Sequence, residues 1–208
     1  MGRVSQPCGE FLFPIDSWAV LLSKNESLDY CCFGDISKVH QLPMNHVSLR
    51  LIFQISKTDL RCCSPFFQMS SAEAAALDPQ QRLLLECTYE AMENSGTTME
   101  EFCGSDTSVF SGAFATDYTD ILWRDPESTP MYQCTNASHC RSNLANRLSY
   151  FFDLRGQSVG IDTACSTSLV GLHLGCQSLR AGESKLSIVA GANVILSHDL
   201  WVTMSMMR

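Results

Sequence analysis

The chain has 208 residues, a net charge of −8 and a pI near 5.0, so it carries no basic footprint for nucleic acid. With 45% hydrophobic and 17% charged residues it has the composition of a globular domain able to bury one substantial core. No apolar run approaches the roughly 18 residues that span a bilayer, and Asp16 interrupts the one N-terminal stretch that could imitate a signal peptide, so a cytoplasmic location without a membrane partner is expected. The eleven cysteines include no Cys-x-x-Cys pair and no histidine at metal spacing, so free thiols are expected rather than a zinc site.

In chain order, Ser70 with Glu73 reads as a capping box for a short helix, and Asp78-Pro79 supplies an N-cap and an N1 proline for a longer one running to Asn94-Ser95-Gly96. Gly104-Ser105-Asp106 is a loop, and Thr107-Ser108-Val109-Phe110 is a short strand. Tyr118 to Trp123 is an amphipathic patch, residues 124–130 read as a loop, and a helix carries Asn146-Arg147. Arg147 and Asp153 are read as structural ion pairs or surface charges in preference to functional groups. Ser158-Val159-Gly160-Ile161 reads as a strand, and Leu186-Ser187-Ile188-Val189-Ala190, bounded by Gly191, as a strand buried on both faces. The alternation argues for an α/β domain with a mostly parallel sheet covered by helices.

Between the last two strands lies Ile161-Asp162-Thr163-Ala164-Cys165-Ser166-Thr167-Ser168-Leu169, where a strand runs into a cysteine and then into a helix. The helix shows Leu169, Val170, Leu172, Leu174, Cys176 and Leu179 at near-helical spacing and closes at Arg180 and Gly182. Unpaired amides at a helix start stabilise a thiolate, which would make Cys165 an acyl acceptor, with Ser166, Thr167 and Ser168 available as caps. Inert packing is the competing reading of the same pattern, and Cys87 and Cys176 are expected in the core. His173 follows Cys165 by eight residues, roughly 12 Å along the helix at about 1.5 Å per residue, too far to act as its base. His139 precedes a helix and could approach Cys165 only through tertiary folding, and the remaining histidines have no local support for that role.

Asp162-Thr163-Ala164-Cys165-Ser166-Thr167-Ser168-Leu169-Val170, with Phe66-Phe67-Gln68-Met69-Ser70, Ala72 to Glu86, Ser111-Gly112, Asp117-Tyr118 and Ala145 to Leu154, resembles the β-ketoacyl synthases. It is most similar to ketosynthase domains of type I polyketide synthases, and best to the fungal reducing kind. The resemblance runs from about Pro65 to Met204. It implies the N-terminal half of a thiolase-like fold, a homodimer with its interface near the segment of Phe151-Phe152, and substrates carried on the phosphopantetheine of an acyl carrier protein. It also implies that Cys165 takes the acyl chain, which a malonyl thioester then attacks as it loses carbon dioxide. The family's two histidines and supporting lysine sit in downstream motifs that residues 1–208 do not contain, so this chain alone is expected to be inactive in condensation.

Other departures lie at the front. The family opens with an apolar Ile/Val/Gly strand placed centrally in its sheet, whereas Met1 to Pro14 offers only Phe11-Leu12-Phe13, so that strand is expected to be missing and independent stability is in question. Ser17 to Lys24 resembles the first helix instead, and Gln157 stands where proline is usual. The expected organisation is an atypical segment over residues 1–61 and a truncated ketosynthase half over 62–208. A non-catalytic remnant serving dimerisation or partner docking is the alternative reading, and a cysteine hydrolase the third.

Overall fold

A computed structural model of the chain describes residues 15–23, 48–54, 66–124 and 140–207. Five strands form one sheet in the order β2-β1-β5-β3-β4, where β1 is Ile15–Ser23, β2 Ser48–Gln54, β3 Thr107–Ala113, β4 Ser158–Gly160 and β5 Leu186–Val194. β3 pairs in parallel with both β5 and β4, and β1 is antiparallel to β2 and to β5. Four strands thus run one way and β1 alone runs the other, which agrees with the mostly parallel α/β sheet expected.

The front of the chain corrects the sequence reading. Ser17–Ser23 lies in a strand, not a helix, and β1 is sandwiched between β2 and β5, pairing with β5 from Ile15 opposite Val194 to Ser23 opposite Leu186. The ladder groups of β5 are therefore met on both sides, and the unsatisfied edge anticipated from a missing strand does not arise there. Ala19, Leu21 and Leu22 are all buried, as in a strand covered on both faces. Met1 to Pro14 lies outside the described residues.

Helices cover both faces. On one side α2 (Pro79–Ser95) and α5 (Asn143–Phe151) place Leu84, Leu85, Ala91, Leu144, Ala145 and Leu148 in one buried cluster with Val109 of β3, Ile188 and Ala190 of β5, and Ala19 and Leu21 of β1. The edge-to-face pair Phe102 with Phe152, centroids 5.1 Å apart, closes the end of that cluster. On the other side α6 (Thr167–Ala181) lies so close that a Cβ on Gly175 would sit 2.8 Å from Ser187 Oγ and 2.9 Å from Val189. Beside that contact Ser108, Ser178, Ser184 and Ser187 share hydroxyl hydrogen bonds of 2.9–3.0 Å, so the polar groups buried between α6 and the sheet satisfy one another.

Local signals fix most helix ends. Ser70 caps α1 (Ser71–Ala76) by accepting from the Glu73 amide, although the Glu73 carboxylate turns away to Arg147 instead of completing a capping box. Asp78 accepts from the Gln80 amide at 2.8 Å, Pro79 opens α2, and Gly96 closes it. Three elements escaped the sequence reading: β2, α3 (Met99–Phe102), with a full capping box between Thr98 and Glu101, and α7 (Asp199–Met206). The amphipathic patch is α4 (Asp117–Arg124), so Arg124 ends a helix where a loop was read, and residues 125–130 lie outside the described residues. The strand expected to stop at Gly191 continues to Val194 because that glycine pairs with Trp18 on one side and Gly112 on the other.

Candidate active site

The elbow is built from the end of β4 onward. Beyond Gly160 the Ile161 amide still donates to the Ser111 carbonyl at 2.8 Å, after which the chain leaves the sheet at Asp162. Asp162 Oδ1 accepts from the Ala164 amide at 3.2 Å, while Oδ2 pairs with Arg141 Nη1. Arg141 Nη2 donates to the Phe114 carbonyl at 3.2 Å, so one guanidinium ties the elbow to the chain just past β3. Ala164, Cys165 and Ser166 then form a single 3₁₀ turn that delivers the chain into α6.

Cys165 is exposed in that turn, at the N-terminal end of α6. The packing alternative is thereby corrected for this residue: among the described residues the buried cysteines are Cys87 and Cys176, and burial pushes the Cys176 thiol up, partly opposed by Arg180. The capping expectation is corrected as well. No side chain caps α6, because Ser166 is in a helical conformation and its hydroxyl donates backward to the Thr163 carbonyl at 2.8 Å. No side chain therefore caps the first turn of α6, and its first amide, that of Thr167, donates instead to the Ala164 carbonyl within the 3₁₀ turn.

Ala164 has φ +53°, the left-handed region that costs a residue bearing a Cβ about 1–2 kcal/mol. The Thr167 hydroxyl bridges it, accepting from the Thr163 amide at 2.9 Å and donating to the Ala164 carbonyl at 2.8 Å. Beneath the bridge lies Gly112 of β3, where a Cβ would stand 2.1 Å from the Ile161 carbonyl oxygen and 2.3 Å from Thr167 Cγ2. Only glycine lets the elbow settle this close to the sheet.

His173 is exposed two turns along α6, and His139 lies outside the described residues. Arg147 donates to Gln81 at 3.0 Å and pairs with Glu73 at 3.0 Å, and Asp153 pairs with Arg155 at 2.6 Å, so both read correctly as structural charges. Cys140, half-buried before α5, has its thiol drawn below the usual range chiefly by the Ser142 hydroxyl 3.1 Å away. A cavity of about 10 Å³ beside Asp78, Gln80, Cys140 and Arg141 has room for one water at most. Among the described residues no three or more His, Cys, Asp or Glu side chains gather as a metal site, and no helix is long and apolar enough to cross a membrane.

Sequence reasoning placed Cys165 at the strand-to-helix junction but missed Arg141 altogether and took Thr167 for a cap. Gly112 was visible only as part of the Ser111-Gly112 motif; a glycine inside an apolar strand was the available signal that another backbone comes close.

Comparison with known proteins identifies the family and agrees with the fold. A family model described as the β-ketoacyl synthase N-terminal domain matches residues 50–208. A highly reducing polyketide synthase of Talaromyces stipitatus is 70% identical over 145 residues, which cover 70% of this chain and 6% of that protein. A compactin diketide synthase of Penicillium citrinum is 54% identical over 140 residues, covering 67% of this chain and 5% of that synthase. Among solved structures, an oxazolomycin ketosynthase domain from Streptomyces albus superposes with TM-score 0.61 at 33% identity, covering 68% of this chain and 24% of that one. The module 6 ketosynthase of the Bacillus subtilis bacillaene synthase gives 0.59 at 30%, covering 68% and 23%. The chain thus spans a small fraction of the curated relatives it matches.

Proposed function

The chain belongs to the β-ketoacyl synthase family, and on that premise we propose that it is the N-terminal half of a polyketide-synthase ketosynthase in which Cys165 accepts an acyl chain as a thioester. The observation that carries the reading is an exposed thiol at the start of a helix whose first amides no side chain caps. The positive end of the helix dipole, with no side chain capping it, favours a thiolate and a developing oxyanion, which acyl transfer needs in succession.

The acyl donor is a thioester on the phosphopantetheine arm of an acyl carrier protein. The Cys165 sulfur attacks its carbonyl carbon, a new carbon–sulfur bond forms through a tetrahedral adduct, and the pantetheine sulfur leaves as a thiolate that takes up a proton. Decarboxylation of the malonyl partner is assigned to no residue of this sequence, so residues 1–208 carry the acyl-transfer half-reaction and not the whole condensation. Homodimerisation and a cytoplasmic location belong to the same proposal.

Incubation with an acyl-pantetheine thioester followed by peptide mass spectrometry tests it. One acyl group is expected on the peptide containing Cys165, removable by hydroxylamine and lost in Cys165→Ala. Folded protein that stays unmodified there would leave the non-catalytic docking remnant as the better description.

A further inference from the structure

We propose that Thr167 is the positioning residue of this elbow: its hydroxyl staples Ala164 into the left-handed conformation that aims Cys165. The inference rests on Cys165 being the acyl acceptor and adds what holds that sulfur in place.

Thr167 is 6% exposed, and every part of its side chain is committed. Its methyl stands where Gly112 lacks a Cβ, and its hydroxyl uses both its functions within the turn, accepting from the Thr163 amide and donating to the Ala164 carbonyl. Those two backbone groups bracket Ala164, so the hydroxyl spans the one residue of the elbow with a positive φ. A helical threonine has two χ1 wells, and keeping the methyl against Gly112 selects the one that points the hydroxyl into the turn, so the hydroxyl cannot swing away without leaving Gly112. Alanine reverts to right-handed geometry once such a constraint is gone, and a change in the peptide before Cys165 rotates the thiol relative to the amides of α6. The neighbouring Ser166 hydroxyl cannot take over, because it already bonds to the Thr163 carbonyl and hydroxyl at 2.8 and 3.0 Å.

Three variants of the whole chain separate positioning from simple destabilisation. Thr167→Val keeps the methyl and removes the hydroxyl, Thr167→Ser keeps the hydroxyl, and Ala164→Gly with Thr167→Val removes the penalty that the hydroxyl offsets. Two rates are read at Cys165 by peptide mass spectrometry, acylation by an acyl-pantetheine thioester and alkylation by iodoacetamide. Cys87 and Cys176, both buried, report unfolding in the same digest.

Thr167→Val is expected to lower both rates about tenfold with Cys87 and Cys176 still protected, a change equivalent to about 1.4 kcal/mol. Thr167→Ser is expected to restore them to within about threefold, as is the double variant. Wild-type rates in Thr167→Val, or no recovery in Thr167→Ser and the double variant, overturn the proposal. If Thr167→Val exposes Cys87 and Cys176, the double variant decides by the same criterion. Failure of wild-type acylation alone would count against the acyl-acceptor reading, while the alkylation rates would still test the staple.

Discussion

The two ends of α6 are finished in opposite ways. At the C-terminal end Gly182 turns left-handed at φ +74°, its amide returns to the Ser178 and Leu179 carbonyls, Cys176 is buried, and the four serine hydroxyls satisfy one another against the sheet. At the N-terminal end no side chain caps the helix, Cys165 is exposed, and the left-handed residue is an alanine. Glycine is the low-cost choice where a chain must turn left-handed, so the alanine at the open end marks a conformation held from outside. One end of the helix is closed by a glycine turn and buried packing, and the other is left exposed and without a side-chain cap.

The largest expected effect comes from breaking the closed end. Gly175→Val would drive a side chain into Ser187, Val189 and Leu22, all buried, and should cost about 3 kcal/mol, read as a lowered urea midpoint. Ser178→Ala leaves Ser184 without one partner and should cost about 1 kcal/mol by the same measurement, with Cys165 alkylation unchanged.

Thiol chemistry sharpens the contrast further. The Ser142 hydroxyl holds Cys140 below its ordinary range, whereas burial, and then Asp153, push Cys103 up. Iodoacetamide trapping across a pH series should therefore show Cys140 becoming reactive at lower pH than Cys103. Ser142→Ala removes the group that favours the thiolate, so the Cys140 profile should move to higher pH. The smallest effect is expected from Arg141→Ala: its pair with Asp162 is partly exposed, so stability should fall by no more than about 0.5 kcal/mol. The loss of its anchor to Phe114 should slow Cys165 alkylation about twofold.

What could be read from the sequence divides along the same line. The bounds of α2 and the end of α6 were legible because Asp78, Pro79, Gly96 and Gly182 act on their own neighbours in the chain. β1 was not, since a short apolar run such as Trp18 to Leu22 suits helix and strand alike until two partner strands choose for it. In the elbow the position of Cys165 was legible from the strand-to-helix junction. The conformation of Ala164 was not, because nothing in an alanine announces φ > 0; it is set by the Thr167 hydroxyl three residues on and by Gly112 in another strand. The same conflict hid the true use of Ser166, a residue type that ordinarily caps helices but here takes a helical conformation and bonds backward.

The pairing of β1 with β5 joins residues from opposite ends of the sequence, and translation makes them far apart in time as well. At ribosomal rates of about 5–20 residues per second, β1 waits on the order of ten seconds to half a minute before its partner is made. During that interval an apolar segment that includes Trp18, Val20, Leu21 and Leu22 has no β5 to lie against, so it is the part of the nascent chain that stays unpaired longest before its final partner exists.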